Sequence, residues 1–368
     1  MIPPRAALTR VSPVAHGGGL TDRPPGSDGH PQTMLDFSVN TSPFGPSPAA
    51  TSAVRAAPLD RYPQPGSPTL RALLSATCAV PEEHVLVTAG TTESLHLIAT
   101  AYLEPGRHAL VLAPTYGEYE RVALLAGAHV TTWWADESDD FRHHLLTRLP
   151  ALRALAPDVV FLCVPNNPTG ALISRSTVDA VADALPDTLW VIDEAYMPFT
   201  GAHAWSSEPL LALANILLCR SLTKDYALAG VRVGYILGAP APIAALRTVQ
   251  PPWTVSTVAE AAACAAIHDK QHLEASLQAV DSLRGYLWDG LRLLGFPLIT
   301  GETHFCLARV GDATAWRHAL LEHGISVRDC TSFGLPAFIR VAPRDRADCD
   351  MLLAALAQVL LQLSACSP

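Results

Sequence analysis

The chain has 368 residues, of which 49% are hydrophobic and 16% are charged, and its formal net charge is -9. This length can bury one large core and a second, smaller one. The acidic balance and the low charge density argue against nucleic acid or an anionic membrane as a partner. We expect neither a signal peptide nor a membrane span, because no apolar h-region and no apolar stretch of ~20 residues is present. A cytoplasmic location follows from these expectations.

The eight cysteines are scattered through the chain and form no CxxC pair. This spacing favours reduced structural thiols over disulfides, and we expect no metal site.

The N-terminal segment, residues 1–48, is rich in Pro, Gly and Ser and shows little periodicity, which predicts an extended arm. From Val85 onward, short apolar runs alternate with helical stretches. The runs are HVLVT, ALVLAP, HVTTWW, VVFLCV, LWVIDE, ILLCRS and VGYILG. Strands that are apolar on both faces predict an α/β fold with a mainly parallel central sheet sandwiched by helices. We assign residues 49–254 to this large domain.

The pattern changes after Val255. A long helical region reaches Leu294, and the short runs HFCLARV, ISVRD and FIRVA then alternate with helical stretches. This predicts a smaller α+β domain over residues 255–368, which the N-terminal arm of residues 1–48 would join.

Polar motifs follow four of the apolar runs. In open α/β sheets, ligands bind beyond the carboxyl ends of the strands. Taken singly, each motif is typical of a turn, a helix cap or a solvated lysine. Their occurrence at four strand ends favours a single ligand site. The motifs are Gly90-Thr91-Thr92, Pro165–Gly170 (PNNPTG), Asp193–Tyr196 (DEAY) and Ser221–Lys224 (SLTK).

These residues suit the chemistry of pyridoxal 5'-phosphate (PLP). Lys224 follows a buried strand, where desolvation favours the neutral amine that reacts with the PLP aldehyde. Asp193 could keep the pyridine nitrogen protonated. Asn167 and Tyr196 could donate to the phenolic oxygen. We therefore expect Lys224, Asp193 and Tyr196 to be catalytic.

The remaining groups suit a phosphate and an aromatic ring. A helix N-terminus offers free N–H groups to an anion, and hydroxyls or a guanidinium add further donors. An aromatic side chain could stack on the cofactor ring. The expected phosphate-binding residues are Gly90, Thr91, Thr92, Ser221, Thr223 and Arg232, and the expected stacking residue is Tyr116.

From about Leu35 to Val359, the sequence resembles the fold-type I, class I/II aminotransferase-like PLP enzymes. The motifs that carry the resemblance are RYPQP, APTYGEY, PNNPTG, DEAY, SLTK and AGVRVGY. The resemblance implies that Lys224 is the Schiff-base lysine and that Asp193 contacts the pyridine nitrogen. It further implies a homodimer in which Tyr62 reaches the cofactor phosphate of the neighbouring subunit. Arg340 would hold the α-carboxylate of the substrate.

Two subfamilies are similar, histidinol-phosphate aminotransferase and the threonine-phosphate decarboxylase of cobalamin biosynthesis. Four segments look more like the decarboxylase: His16–Gly19 (HGGG), LDFSVNTSPFGP, RSLTKDYALAG and Arg328-Asp329-Cys330. The resemblance implies a small phosphorylated amino acid as substrate. Its binding residues would be His16, Asn40, Asn167, Arg328 and Arg340.

The expected reaction is decarboxylation of O-phospho-L-threonine to (R)-1-aminopropan-2-yl phosphate. The alternative is transfer of an amino group to 2-oxoglutarate by a histidinol-phosphate-type aminotransferase. Three features depart from the decarboxylase pattern: Ala229, a tyrosine within APTYGEY, and the short segment Thr331–Phe338. Two non-enzymatic alternatives are a PLP-binding sensor domain and a structural protein. Arginines before residue 60 number four and do not cluster, which disfavours a DNA-binding sensor.

Overall fold

The computed structural model describes residue 2 and residues 5–18 and 34–365. Gly19 of the HGGG motif and Cys366 lie outside the described residues. Within these ranges, no helix combines the length and apolar character that crossing a membrane requires.

The first two thirds of the described chain alternate strands and helices. In chain order the elements are β1 (Leu35–Asp36), α1 (Pro48–Ala56), α2 (Pro68–Cys78), β2 (Val85–Thr88), α3 (Thr91–Tyr102), β3 (His108–Ala113), α4 (Glu118–Ala126), β4 (His129–Trp134), α5 (Leu149–Leu155), β5 (Val159–Cys163), α6 (Arg175–Ala184), β6 (Leu189–Asp193), β7 (Ile216–Ser221), β8 (Gly234–Gly238), α7 (Pro240–Val249) and α8 (Thr257–His268).

The remaining part contains shorter strands between long helices. Its elements are α9 (Lys270–Leu293), β9 (Leu298–Thr300), β10 (Cys306–Arg309), α10 (Ala313–Glu322), β11 (Ile325–Ser326), β12 (Arg328–Asp329), β13 (Phe338–Val341) and α11 (Arg346–Ala365).

A seven-stranded sheet forms the centre of the large unit, in the order β2-β8-β7-β6-β5-β3-β4. Its strands are parallel except β8, which runs antiparallel to both of its neighbours. Every residue of β2, β5, β6 and β8 is buried, because helices cover both faces of the sheet. The expected α/β fold with a mainly parallel sheet is confirmed.

Local sequence signals define where several helices begin. The side chains of Ser47, Ser174 and Ser256 accept hydrogen bonds from backbone N–H groups in the first turns of α1, α6 and α8. Such caps satisfy N–H groups that have no partner within the helix. The helix α3 is different, because its N-cap is Gly90, which has a φ of 86° and no side chain to cap with. The N-terminus of α3 therefore faces the end of the sheet uncapped.

A four-stranded antiparallel sheet, in the order β12-β13-β10-β9, forms the small unit. The arm joins this unit, since β1 pairs in parallel with β11 and places Leu35 opposite Ile325. Phe37, which is fully buried, packs in the same apolar core as Leu287 and Trp316. We propose on these contacts that the end of the arm belongs to the small unit.

The helix α8 packs with the large unit. Its buried residues Ala259, Ala262 and Ala263 belong to the same apolar cluster as Leu70 and Leu74 of α2. In the sequence pattern, α8 and α9 read as one long helical stretch, and this pattern therefore predicts that the small domain begins at residue 255. We propose that the division lies at Asp269, which caps α9 through a hydrogen bond from the backbone N–H of His272.

Candidate active site

A cavity of about 330 Å³ opens at the carboxyl ends of β5, β6 and β7. The large unit contributes Cys163, Asp193 and Ser221 from these strand ends, and the small unit contributes Arg328 and Arg340. Most of the residues expected from the sequence line this cavity. They are His16, Asn40, Thr91, Thr92, Tyr116, Asn167, Asp193, Tyr196, Ser221, Thr223, Lys224, Arg232, Arg328 and Arg340.

Lys224 lies on the segment that follows β7. Its amine lies 6.0 Å from the centre of the Tyr196 ring. Burial, together with the positive charges of Arg340 and Arg232, lowers the pKa of Lys224 to about 8. The neutral amine is therefore accessible close to neutral pH, and this is the form that reacts with an aldehyde.

Asp193 ends β6 and is buried at the bottom of the cavity. Its Oδ2 atom accepts a hydrogen bond from the Tyr119 hydroxyl at 2.9 Å, and Oδ1 accepts one from the backbone N–H of Ala195 at 3.1 Å. Burial raises the pKa of Asp193 to about 6, and the two hydrogen bonds oppose that rise. The carboxylate is thus held in one orientation at a site where it can face a ring nitrogen.

The N-terminus of α3 lies at the cavity, which Thr91 and Thr92 line. The Thr91 hydroxyl is buried and has no hydrogen-bond partner among the described residues. Ser221 and Thr223 hydroxyls lie 2.6 Å apart in the same cavity. A Cβ atom at Gly90 would lie 2.9 Å from the Arg232 guanidinium, so glycine allows that guanidinium to approach the helix end. Gly90 therefore shapes the site without itself lining the cavity.

Two arginines of the small unit also line the cavity. Arg340 donates to the side-chain oxygen of Asn167 and, at 2.8 Å, to the carbonyl of Ser38. Arg328 donates to the carbonyl of Ala15 at 2.7 Å and to the Ser332 hydroxyl at 2.6 Å. Both guanidiniums are buried, and burial lowers the pKa of each. Two fixed positive charges favour a ligand with two anionic groups.

The arm brings His16 to the same cavity. The His16 Nε2 atom lies 3.2 Å from a carboxylate oxygen of Glu118, and its ring lies 5.8 Å from that of Tyr116. Asn40, a second residue of the arm, is buried and also lines the cavity.

Tyr62 does not line the cavity of its own chain. Its side chain is 78% exposed and stacks on Trp253, with ring centroids 4.8 Å apart. A role in the site of a neighbouring subunit therefore stays a prediction.

Several lining residues were not predicted from the sequence, namely Tyr119, Cys163, Ser332 and Phe333. Tyr119 could have been found, because it is the second tyrosine of the APTYGEY motif that also contains Tyr116. Cys163 is the last residue of β5. Asp193 and Ser221, which were predicted as site residues, hold the same position at the ends of β6 and β7. Ser332 and Phe333 lie in a short 3-10 helix, Cys330–Phe333, which carries no motif.

Comparisons with known proteins identify the family. The family model "Aminotransferase class I and II" matches residues 32–356, so the chain belongs to this family of PLP-dependent enzymes, and PLP is its cofactor. A histidinol-phosphate aminotransferase of Symbiobacterium thermophilum is 33% identical over 92% of this chain and 93% of its own. Seven further curated relatives, 31–34% identical, are also named as histidinol-phosphate aminotransferases.

Solved structures agree on the fold. Histidinol-phosphate aminotransferase from Sinorhizobium meliloti in complex with PLP superposes with a TM-score of 0.81, at 27% identity, covering 89% of this chain and 90% of that one. L-threonine-O-3-phosphate decarboxylase from Porphyromonas gingivalis has a TM-score of 0.78, at 24% identity, covering 88% and 98%. The second likeness bears on the fold alone.

Proposed function

We propose that the protein decarboxylates O-phospho-L-threonine to (R)-1-aminopropan-2-yl phosphate, the reaction of cobalamin biosynthesis. The observation that carries the proposal is the arrangement of His16, Arg328 and Arg340 around one cavity with Lys224. Arg340 would bind the α-carboxylate, and Arg328 with His16 would bind the phosphate. A short amino acid that carries both groups would use both anchors at once.

The cavity fits PLP. The unpartnered Thr91 hydroxyl and the uncapped N-terminus of α3 suit its phosphate, together with Thr92, Ser221, Thr223 and Arg232. Asp193 suits the pyridine nitrogen, Tyr116 the ring face, and Asn167 and Tyr196 the phenolic oxygen. When bound, PLP accepts the electron pair that remains when a bond to the substrate α-carbon breaks.

The residues of the chain would determine which bond breaks. We propose that Arg340 and Arg328, by anchoring the two anionic groups, fix the orientation of the substrate, so that the carboxylate would leave as CO2 in place of the α-proton. Lys224, in its ammonium form, would deliver the replacing proton to the α-carbon.

A second candidate function is amino-group transfer from histidinol phosphate to 2-oxoglutarate, which the names of the curated relatives favour. 2-Oxoglutarate has two carboxylates, so it could use the same two arginines. Histidinol phosphate has no carboxylate, so its phosphate would leave one arginine without an anion. We therefore rank this function second. With either reaction, we propose a cytoplasmic homodimer in which Tyr62 completes the site of the partner subunit.

The Arg328→Ala variant tests the proposed phosphate anchor. Loss of a hydrogen bond to a charged group costs about 1.5–3 kcal/mol, so binding of O-phospho-L-threonine should weaken roughly ten- to a hundredfold. Binding of unphosphorylated L-threonine should change far less. Arg153→Ala, which removes an exposed arginine of α5, is the control. An equal loss for both ligands would contradict the assignment.

A further inference from the structure

Glu118 is a buried carboxylate that does not line the cavity. It begins α4 and is 3% exposed. One of its oxygens is 3.2 Å from Nε2 of His16, and the other accepts a hydrogen bond from Arg121 at 2.9 Å. A buried carboxylate is costly unless it is paired, so these two partners account for its presence. Glu118 thereby links the large unit to the arm across 102 residues of sequence.

The backbone of the arm is held independently of this link. The Ala15 carbonyl accepts a hydrogen bond from Arg328, and the backbone N–H of Gly18 donates to the Ser38 hydroxyl at 3.0 Å. A Cβ atom at Gly17 would lie 2.5 Å from the Ser38 carbonyl oxygen, so the arm lies directly against residue 38. These contacts fix where the arm runs, but they leave the His16 side chain, which is 49% exposed, free to rotate away from the cavity.

The contact with Glu118 removes that freedom. Because a carboxylate accepts hydrogen bonds, Nε2 of His16 is the donor, and in the imidazolium form the second N–H, at Nδ1, remains to donate to a phosphate oxygen. Arg328, the neighbouring cation, uses one of its nitrogens on Ala15 and Ser332 and keeps further N–H groups for an anion.

We propose that Glu118 is a positioning residue, which holds the His16 imidazole at the cavity so that His16 and Arg328 bind the substrate phosphate together. This inference rests on the proposed function. It adds that phosphate binding requires Glu118, although Glu118 itself does not line the cavity.

The Glu118→Gln variant tests the inference in the PLP-loaded enzyme, where the cofactor phosphate already fills the site at α3. Titration calorimetry with inorganic phosphate should show binding roughly three- to tenfold weaker than in the wild type, because the amide oxygen can still accept from Nε2 but no longer carries the charge that strengthens this bond. With O-phospho-L-threonine, KM should rise by a similar factor while kcat stays nearly unchanged. The cofactor absorbance spectrum should not change. Glu120→Gln, at the exposed neighbouring glutamate, is the matched control.

A double-mutant cycle separates positioning from a general structural role. If Glu118 acts through His16, the double variant Glu118→Gln/His16→Ala should bind phosphate as weakly as His16→Ala alone. If the amide variant does not fold, Glu118→Asp gives the same comparison, with a loss of about threefold, the scale of a partly exposed ion pair. Unchanged phosphate binding in the Glu118 variant, or losses that add in the double variant, would overturn the inference.

This test and the test of the reaction can fail separately, because phosphate binding is measured without turnover. A non-additive loss of phosphate binding in an enzyme that releases no CO2 would support the inference and remove the proposed reaction. Additive losses in an enzyme that does release CO2 would overturn the inference and support the proposed reaction.

Discussion

The hydroxyl of Tyr119 donates a hydrogen bond to Oδ2 of Asp193 over 2.9 Å. Tyr119 is buried and stacks on Phe161, with ring centroids 5.6 Å apart and planes inclined by 8°. Since the backbone N–H of Ala195 occupies Oδ1, both oxygens of Asp193 have a donor from the protein. The packing of α4 on the sheet therefore determines the orientation of the carboxylate.

Replacing Tyr119 by Phe should lower activity while PLP stays bound. The hydrogen bond lowers the pKa of Asp193, which burial raises to about 6. Without this bond the pKa rises further, and Asp193 competes for the proton that the ring nitrogen needs. We expect kcat to fall about tenfold, the scale of a hydrogen bond to a charged group. Tyr102→Phe, at the far end of α3, is the control.

Asp193→Asn should have the larger effect. The neutral amide cannot hold a proton on the ring nitrogen, so most activity should be lost although PLP remains bound. Steady-state kinetics and cofactor absorbance measure both variants. Near-normal turnover of Asp193→Asn would show that the carboxylate only caps the strand end.

Lys224 should be the lysine that carries the cofactor. The chain has two lysines, Lys224 and Lys270, so borohydride reduction followed by peptide mass analysis has a clear outcome. We expect the label on Lys224, and we expect Lys224→Ala to fold without covalent cofactor or turnover. Lys270→Ala, at an exposed position, should behave as the wild type. A label on Lys270 would contradict the assignment. Bound cofactor should stabilise the fold by about 4 kcal/mol at a thousandfold excess over Kd.

Recombination of the apoenzyme with PLP should depend on pH through Lys224. Its pKa is lowered to about 8, mainly by burial, so the reactive neutral amine predominates above that pH and disappears below it. The rate should therefore rise with pH, reach half of its maximum near pH 8 and level off above that, as followed by stopped-flow absorbance. Arg340→Gln removes one of the positive charges that lower this pKa, so the midpoint should move to higher pH. A midpoint near the ordinary lysine value in the wild type would refute this account.

Tyr62 should contribute to cofactor binding in the partner subunit. The Tyr62 side chain is exposed and does not line the cavity of its own chain. Tyr62→Ala should therefore weaken PLP binding only if Tyr62 reaches the cavity of a second copy of the chain. Mixed dimers of Tyr62→Ala and Lys224→Ala should place both defects in one site and leave the other site intact. Leu59→Ala, another exposed apolar side chain, is the control. A fully active monomer in sedimentation would exclude this role.

Periodicity in the sequence identifies buried parallel strands, and such strands bring their carboxyl ends to one edge of the sheet. Residue type and position were therefore enough to place Asn167, Asp193 and Lys224 at one cavity. The role of Arg340 came only from the resemblance, because a short antiparallel strand carries no comparable signal. The contacts of Glu118 and Tyr119 depend on how α4 packs against the arm and the sheet. These are tertiary contacts, and the pattern of neighbouring residues in the sequence does not contain them.

The substrate assay tests the central claim most directly. The PLP-loaded enzyme is given O-phospho-L-threonine alone and, separately, histidinol phosphate with 2-oxoglutarate. The account predicts CO2 and 1-aminopropan-2-yl phosphate from the first mixture, with no requirement for an oxoacid. Glutamate from the second mixture and no CO2 from the first would contradict the proposed decarboxylase and establish the aminotransferase.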